Sequence, residues 1–364
     1  MTRQGPRDSR VATRPSMIIL QPTCLCNLDC TYCYLPGRKS KNEMSLPVAR
    51  AIAEGINPDW VESAPLELVW HGGEPLAIDP TLFEELLKSF IPLHNAGLVY
   101  HVIQTNATLI TDEWCELFLK HDIDVGVSLD GPATLNHNRV DWRGKPALTR
   151  IMDGIAKLTE HDINFSVIAV IDQTAIDSIH QILDFLATLG PPSIALNLEE
   201  REGVNPHHGS PSLHEARTLW RDVFAWAGRN RSIRIREDDR LLSYLAAPPS
   251  TAAADVPHDP LPTVAWNGNV ILLSPELLGI KPARYADFMA GNRFFEHGVL
   301  STTETHHCHI TTQALVTGFF DLTETASKDS MTLLEKLVTT KSSTLLALIN
   351  PYRNPDNDVA PALK

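Results

Sequence analysis

Three closely spaced cysteines carry the most specific chemistry in this chain. Cys26, Cys30 and Cys33 lie in one short segment, Cys-Asn-Leu-Asp-Cys-Thr-Tyr-Cys. Thiolates at this spacing can ligate three irons of a [4Fe–4S] cluster and leave the fourth iron open to another ligand. Most cysteine sites supply four ligands and are closed, so the open position predicts chemistry at the metal rather than electron storage alone.

Two simpler interpretations of these cysteines are less favoured. A zinc knuckle needs a fourth ligand, and Cys24 is too close to Cys26 for an ordinary knuckle. A disulfide loop needs an oxidising compartment, and the N-terminus contains nothing that resembles a signal peptide. The six cysteines, four of them between residues 24 and 33, therefore predict a metal site in a reducing cytoplasm.

The bulk composition predicts a globular protein with one large domain, or one domain and a small appendage. The chain has 364 residues, of which 43% are hydrophobic and 21% are charged. No apolar run approaches the length of a membrane span, so we expect no membrane partner. The net charge of −13 argues against a nucleic-acid partner but would attract a basic peptide.

Apolar segments alternate with helix-like segments over the first 200 residues. The predicted strands are 17–21, 66–70, 99–104, 125–129, 165–171 and 194–198, and the predicted helices are 47–56, 82–90, 111–121, 147–159 and 176–188. This alternation is typical of right-handed β-α-β units and a parallel sheet. The predicted fold class is α/β, a partial (β/α)6 TIM-like barrel whose chemistry lies at the carboxyl ends of the strands.

The rest of the chain is less regular. The predicted organisation is a disordered segment over 1–16, the barrel over 17–210, a mainly helical stretch over 211–246 that runs into a linker ending at 262, a small region with an Asn-Gly hairpin over 263–326, and a C-terminal helix and tail over 327–364.

The open-iron cysteine spacing resembles that of the radical S-adenosylmethionine (SAM) enzymes. In that family the amino and carboxylate groups of SAM bind the open iron, and reductive cleavage of SAM gives a 5′-deoxyadenosyl radical that abstracts a hydrogen atom. Polar residues at the predicted strand ends suit this cofactor. Gly72 and Gly73 allow close backbone approach, and Glu74 supplies a negative charge for the ammonium group. A guanidinium, a hydroxyl and polar acceptors for the carboxylate and ribose are offered by Asn106, Ser128, Asp130 and Arg139.

An acidic segment follows the sixth predicted strand. Glu199 and Glu200 would lie at the barrel mouth, where carboxylates could bind substrate or transfer a proton. A solvated acidic loop is an equally good interpretation.

Further motifs narrow the resemblance to the radical SAM enzymes with a C-terminal SPASM domain, a group that includes anaerobic sulfatase-maturating enzymes and peptide maturases. These motifs are Gly-Gly-Glu-Pro, Gln-Thr-Asn and Ser-Leu-Asp-Gly-Pro, and segments 272–279, 287–292 and 301–308 look closest to the cyclophane-forming maturases. The resemblance implies that Cys26, Cys30 and Cys33 bind the cluster, that Glu74 contacts the SAM amino group, that Ser128 and Arg139 contact its carboxylate, and that the Tyr32 backbone contacts adenine.

The chain departs from that group in its C-terminal region. A SPASM domain ligates auxiliary clusters with several cysteines, whereas only Cys308 follows Cys115 here. The interval between Asn292 and Ser301, cysteine-rich in the group, is short and looks deleted. We therefore expect a reduced SPASM or twitch remnant and one [4Fe–4S] cluster. The sequence assigns no role to Cys24, Cys115 or Cys308.

The sequence thus predicts a cytoplasmic radical SAM enzyme that modifies a peptide or an amino-acid-like metabolite in natural-product biosynthesis. The short N-terminal segment favours a small substrate over a leader peptide. The resemblance implies an electron donor such as flavodoxin or ferredoxin. Two alternatives remain open, a maturase that crosslinks a precursor peptide and a non-catalytic SAM-binding relic.

Overall fold

A single twisted sheet carries every strand of the residues that the structure describes. The structure is a computed structural model, and it describes residues 15–61, 64–199, 205, 213–239, 261–271 and 289–291. The ten strands are β1 (Met17–Leu20), β2 (Leu66–Trp70), β3 (Val99–Thr105), β4 (Ile123–Ser128), β5 (Phe165–Ile171), β6 (Ser193–Leu198), β7 (Arg234–Ile235), β8 (Thr263–Val264), β9 (Val270–Ile271) and β10 (Met289–Gly291).

The order of the strands in the sheet follows the chain from β1 to β7. All seven run parallel, β8 pairs in parallel with the other edge of β1, and β9 and β10 extend the sheet in antiparallel fashion. The sequence prediction of six parallel strands in consecutive order is confirmed, as is the α/β class with an open, partial-barrel sheet.

Helices connect the successive parallel strands. They are α1 (Leu46–Gly55), α2 (Pro80–Lys88), α3 (Ile91–Asn95), α4 (Asp112–Lys120), α5 (Leu148–Glu160), α6 (Ile179–Ala187) and α7 (Leu213–Arg229). The five helices predicted before residue 190 are confirmed with small shifts at their ends. α3 is a short helix that follows the predicted helix 82–90 and that the sequence did not predict.

Local sequence explains where these helices begin and which face they bury. Helix α2 begins at Pro80, which has no N–H to satisfy, and the Asp79 side chain caps it by accepting a hydrogen bond from the Thr81 amide at 2.8 Å. Helix α5 buries Ile151, Ile155 and Leu158, whose spacing places them on one face. Each such side chain stabilises the fold by roughly 1.5–3 kcal/mol.

The stretch predicted to be mainly helical over 211–246 is mainly helical where the structure describes it, but a short strand interrupts it. Helix α7 is followed by β7, in which Ile235 is buried and pairs with Ile194. The sequence did not predict this strand at the sheet edge.

The Asn-Gly hairpin predicted after residue 262 is confirmed. β8 and β9 are antiparallel, and Gly268 in the turn between them has a φ of +83°. β8 also extends the main sheet, because the Ile19 amide donates to the Pro262 carbonyl at 2.8 Å and the Gln21 amide donates to the Val264 carbonyl at 2.8 Å.

Several predictions lie outside the described residues. They concern the N-terminal segment up to residue 14, most of the linker before 262, segments 272–279 and 301–308, the interval between Asn292 and Ser301, Cys308, Glu200 and the helix over 327–349. The domain boundaries stay predictions. In the part of the chain that the structure describes, no helix is both long enough and apolar enough to cross a bilayer.

Candidate active site

The cysteine loop, residues 24–33, lies at the carboxyl end of β1 and is fastened to the loop that follows β4. The Asp29 amide donates to the Val140 carbonyl at 2.7 Å, and the Thr31 amide donates to the Asn138 carbonyl at 3.0 Å. Leu28, within the loop, is completely buried. These backbone hydrogen bonds join segments about 110 residues apart in sequence. They therefore fix the backbone conformation of the loop that carries the three cysteines.

The three cysteine thiols are partly buried and act on one another electrostatically. All three are free thiols, so the disulfide interpretation finds no support in the structure. Burial raises the pKa of Cys30 to about 11 and that of Cys33 above its usual value, and it raises the pKa of Cys26 further still. The charges of the three groups also act on one another. A bound cation is what would favour their thiolate forms in such a setting.

The donor set fits an iron–sulfur cluster better than a single metal ion. Three thiols from one loop leave a zinc ion one ligand short, whereas a [4Fe–4S] cluster can keep one iron open. Ligands on separate irons need not converge on one point. Cys24 instead lies 4.0 Å from Gln21 Oε1, and Cys115 is buried in α4.

The Gly-Gly-Glu segment at the end of β2 packs directly against the start of the cysteine loop. The Glu74 amide donates to the Leu25 carbonyl at 2.8 Å. Gly73 has a φ of +112°, and a Cβ there would lie 3.0 Å from the Leu25 carbonyl oxygen and would overlap that of Thr23. The absence of a side chain at Gly73 is therefore what allows the two loops to meet.

Glu74 is a buried carboxylate with a defined orientation. Its side chain accepts hydrogen bonds from the Thr105 hydroxyl at 2.6 Å, the Asn106 amide at 2.8 Å and the Leu76 amide at 3.1 Å. Burial raises the pKa of Glu74 to about 7, although these three hydrogen bonds lower it. A carboxylate offers about four acceptor positions, so Glu74 retains one for a cationic ligand.

Asn106, at the end of β3, contacts the cysteine loop. Its Nδ2 donates to Asn27 Oδ1 at 2.9 Å and lies 3.9 Å from Cys26 Sγ. The Asn106 side-chain oxygen accepts from the hydroxyl of Thr108 at 2.7 Å. This residue therefore orients the loop and places an N–H near a candidate ligand sulfur.

Asp130, Arg139 and Tyr32 form a connected group beside Cys30. Arg139 Nη2 and Asp130 Oδ1 are 2.8 Å apart, and the Tyr32 hydroxyl donates to Asp130 Oδ2 at 2.6 Å. The Val170 amide also donates to Asp130, at 2.9 Å. Arg139 keeps one donor, because its buried Nε has no hydrogen-bond partner among the described residues. Its positive charge lowers the pKa of Cys30.

The remaining predicted residues lie at the same edge of the sheet. Ser128 ends β4, and its hydroxyl accepts from Gln104 Nε2 at 2.9 Å. Glu199 follows β6 and is 6% exposed, with Asn205 Nδ2 donating to it at 3.2 Å. The solvated-loop interpretation therefore does not describe Glu199.

The structure adds contacts that the sequence did not indicate. The Tyr34 hydroxyl lies 3.3 Å from Nε2 of His71, and the Trp142 indole N–H donates to the Cys26 carbonyl at 2.9 Å. Tyr34 follows the last cysteine and His71 precedes the glycine pair, so their motif positions offered a signal. Trp142 offered none, because it lies in a loop 116 residues away from its partner.

Comparison with known proteins identifies the family to which this arrangement belongs. The family model of the radical SAM superfamily matches residues 20–186. An uncharacterised protein of Synechocystis is 33% identical over 294 residues, which cover 76% of this chain and 72% of that protein. The chain belongs to the radical SAM superfamily. It is therefore an enzyme. The cofactors of this superfamily are SAM and a [4Fe–4S] cluster.

Sulfatase-maturating relatives of this radical SAM enzyme match over a shorter range. Serine-type anaerobic sulfatase-maturating enzymes of Bacteroides thetaiotaomicron and Klebsiella aerogenes are 30% and 31% identical over 44% and 48% of this chain. The matched part spans 40% and 45% of those two proteins, less than half of their length.

Two solved structures are similar to this chain in fold. The structure of anSMEcpe with bound SAM has a TM-score of 0.70 at 18% identity and covers 92% of this chain and 98% of that one. SuiB of Streptococcus suis, bound to its precursor peptide SuiA, has a TM-score of 0.58 at 17% identity and covers 79% and 64% of the two chains. At these identities the likeness establishes the fold.

Proposed function

We propose that this radical SAM enzyme reductively cleaves SAM at a single [4Fe–4S] cluster and abstracts a hydrogen atom from a peptide or an amino-acid-like substrate. The observation that carries the proposal is the cysteine loop, whose three partly buried thiols interact electrostatically beside the buried carboxylate of Glu74. Cys26, Cys30 and Cys33 would ligate the cluster. When bound, the cluster and SAM supply the electron transfer and the radical chemistry.

The chain's own residues would bind and orient SAM. Glu74 retains an acceptor position for the ammonium group, and the buried Nε of Arg139 retains a donor for the carboxylate, together with the hydroxyl of Ser128. Asn106 and Asp130 would contact the ribose, and the Tyr32 backbone would contact adenine. Gly72 and Gly73 would serve the site through close packing, because their Cβ positions face the Gln21 side chain and the backbone of the cysteine loop.

A peptide is the first substrate class to test. The fold is similar to those of anSMEcpe and SuiB, both of which have been solved with bound peptides. Glu199 would bind the substrate or move a proton, since it is buried at the carboxyl end of β6. Glu200 would have the same role as Glu199.

Anaerobic reconstitution tests the proposal. We expect about four irons per chain and formation of 5′-deoxyadenosine from SAM under dithionite in the wild type. The triple variant Cys26→Ala/Cys30→Ala/Cys33→Ala should lose both the iron and the cleavage, because it lacks the donor set. Cys115→Ala is the matched control, since it removes a buried thiol far from the loop in sequence.

The outcomes separate the alternatives. Substantially more iron than four per chain would contradict the single cluster and favour an oxidative crosslinking maturase with an auxiliary site. Full iron loading with no SAM cleavage, in the presence and absence of peptide, would favour a SAM-binding relic. Equal iron in the triple variant and in Cys115→Ala would refute the assignment of the ligands.

A further inference from the structure

A small basic patch lies against the outer side of the cysteine loop. We define it by residues 35–43 and 140–150, which contain six Lys or Arg residues and two Asp or Glu residues. Lys39, Lys41, Arg143 and Lys145 are exposed. Arg38 forms an ion pair with Asp29 at 2.9 Å and Arg150 with Asp141 at 3.4 Å, so the excess positive charge comes from the four exposed Lys and Arg residues. The net charge of the whole chain is −13.

An exposed indole lies at the centre of the basic patch. Trp142 is 37% exposed, Lys39 Nζ lies 4.3 Å from its ring centroid, and the Arg38 guanidinium lies 5.2 Å from it. Residues 35–40 and Trp142 line a shallow depression of about 460 Å³. An exposed aromatic ring framed by cations is a typical anchor for a protein partner.

Two hydrogen bonds join the basic patch to the backbone of Cys26, one at its carbonyl and one at its amide. The Trp142 indole N–H donates to the Cys26 carbonyl at 2.9 Å, and the Cys26 amide donates to the Arg38 carbonyl at 2.9 Å. One hydrogen bond therefore separates the exposed ring from a residue that would ligate the cluster.

We propose that the basic patch is the docking surface for an acidic one-electron carrier protein, with Trp142 at the point of contact. The inference rests on the proposed function, since reductive cleavage of one SAM consumes one electron. The carrier is oxidised by one electron, and that electron enters at the cysteine loop. The remainder of this acidic chain repels an acidic carrier, so the patch fixes the orientation of the encounter.

Charge reversal with a matched control tests the docking surface. The patch variant is Lys39→Glu/Lys145→Glu. The control is Arg231→Glu/Arg234→Glu, which changes the net charge equally. Arg234 is the strand-pairing partner of Ser193, the first residue of β6. It therefore lies at the amino end of the parallel strands, whereas the cysteine loop lies at their carboxyl end. The probe is an acidic flavodoxin, and its binding to each reconstituted full-length protein is measured by calorimetry at several salt concentrations.

We expect the patch variant to weaken flavodoxin binding at least about tenfold at low salt and to flatten its salt dependence, with less than about a twofold effect in the control. Equal weakening in both variants would refute a local docking surface, as would no weakening in either. SAM cleavage driven by dithionite should proceed equally in all three proteins, because this small reductant needs no docking, while cleavage driven by reduced flavodoxin should fall only in the patch variant.

The dithionite reaction separates this inference from the proposed function. Failure of the wild type to cleave SAM with dithionite refutes the proposed function and leaves the binding result to decide the docking surface. Loss of dithionite-driven cleavage in the patch variant alone would overturn the docking role, because it would show that Lys39 and Lys145 maintain the cysteine loop instead.

Discussion

Arg139 and Asp130 form an ion pair of 2.8 Å in which the side chains are 7% and 2% exposed. Both residues belong to the loop that follows β4, and Asp130 also accepts hydrogen bonds from the Tyr32 hydroxyl and the Val170 amide. The pair therefore connects the cysteine loop, the β4 loop and β5. The charge of each partner is compensated mainly by the other, so removal of either one leaves a buried charge that is costly to hold.

Arg139→Met should destabilise the apo-protein strongly. The substitution leaves the buried Asp130 carboxylate without its cation, which costs about 3–5 kcal/mol in comparable pairs. The free energy of unfolding in urea, without cofactors, measures the effect. Arg150→Met is the control, because its pair with Asp141 is longer, at 3.4 Å, and more exposed, and it should change stability by less than about 1 kcal/mol. Similar losses in both variants would contradict this account of the buried pair.

Gly73→Ala should disrupt the contact between the glycine segment and the cysteine loop. The new Cβ would overlap the Thr23 carbonyl oxygen at a φ of +112°, so the loop must move. We expect both a lower unfolding midpoint and a lower iron content after reconstitution.

Gly97→Ala is the matched control for strain at positive φ. Gly97 has a φ of +68° and no atom within 4 Å of the position that a Cβ would take. This variant should lose about 1–2 kcal/mol of stability and keep its full iron content. Normal iron loading in Gly73→Ala would show that the loops do not depend on their close approach.

Glu74→Gln should weaken SAM binding without unfolding the protein. The amide keeps the shape and removes the negative charge that would face the ammonium group. Its Nε2 cannot accept a hydrogen bond, so at least one of the donors Thr105, Leu76 and Asn106 loses its acceptor and some loss of stability accompanies the weaker binding. Loss of one charge-assisted hydrogen bond corresponds to a roughly ten- to hundredfold rise in Kd. Equilibrium binding of SAM to the reconstituted protein measures it. Glu67→Gln, on the same strand, is the control, since Glu67 accepts from the Tyr100 hydroxyl, and an equal loss there would refute a specific role for Glu74.

His101 should make the protein less stable in mild acid. Its Nδ1 accepts a hydrogen bond from the Trp70 indole at 3.2 Å, and burial, with the charges of His94 and His121, lowers the pKa of His101 to about 3. Between this value and the ordinary value near 6.5 the unfolded chain binds a proton that the folded chain does not. Stability should therefore fall as the pH drops below about 6.5, by up to about 1.4 kcal/mol per pH unit.

His101→Asn tests that origin of acid sensitivity. Asn Oδ1 can replace Nδ1 as the acceptor for Trp70, but it does not titrate. The slope of unfolding free energy against pH, between about 6.5 and 4.5, should become shallower than in the wild type. An unchanged slope would assign the acid sensitivity to other groups, such as the half-buried His71, whose pKa desolvation lowers to about 4.

Sequence patterns were sufficient for the main sheet because its strands are short, mostly apolar segments bounded by polar ones. Phe165–Ile171 alternates buried with partly buried residues, and Leu66–Trp70 buries every residue except Glu67, so both segments favour a strand. The pairing of β8 with β1 was not predictable in the same way. Thr263–Val264 is too short to show a period, and its partner is chosen by packing between distant segments.

The same limit applies within the candidate site. Parallel strand order brings Glu74, Asn106, Ser128 and Glu199 to one edge, so their proximity followed from the sequence. The contacts of Trp142 and of Tyr32 depend on how two loops pack, which no periodicity encodes. Asp130 shows the difference well. Its motif position was recognisable, but its three hydrogen bonds to Tyr32, Val170 and Arg139 were not.

The parallel pairing of β8 with β1 has a consequence for synthesis of the protein. A ribosome working at roughly 5–20 residues per second needs about 10–50 s to proceed from β1 to β8. Throughout this interval one side of Met17–Leu20 has unsatisfied N–H and C=O groups, and an open edge of this kind recruits strands from other chains. The nascent chain is therefore exposed to aggregation for longer than its compact sheet suggests. A product that terminates before Thr263 would keep that open edge permanently.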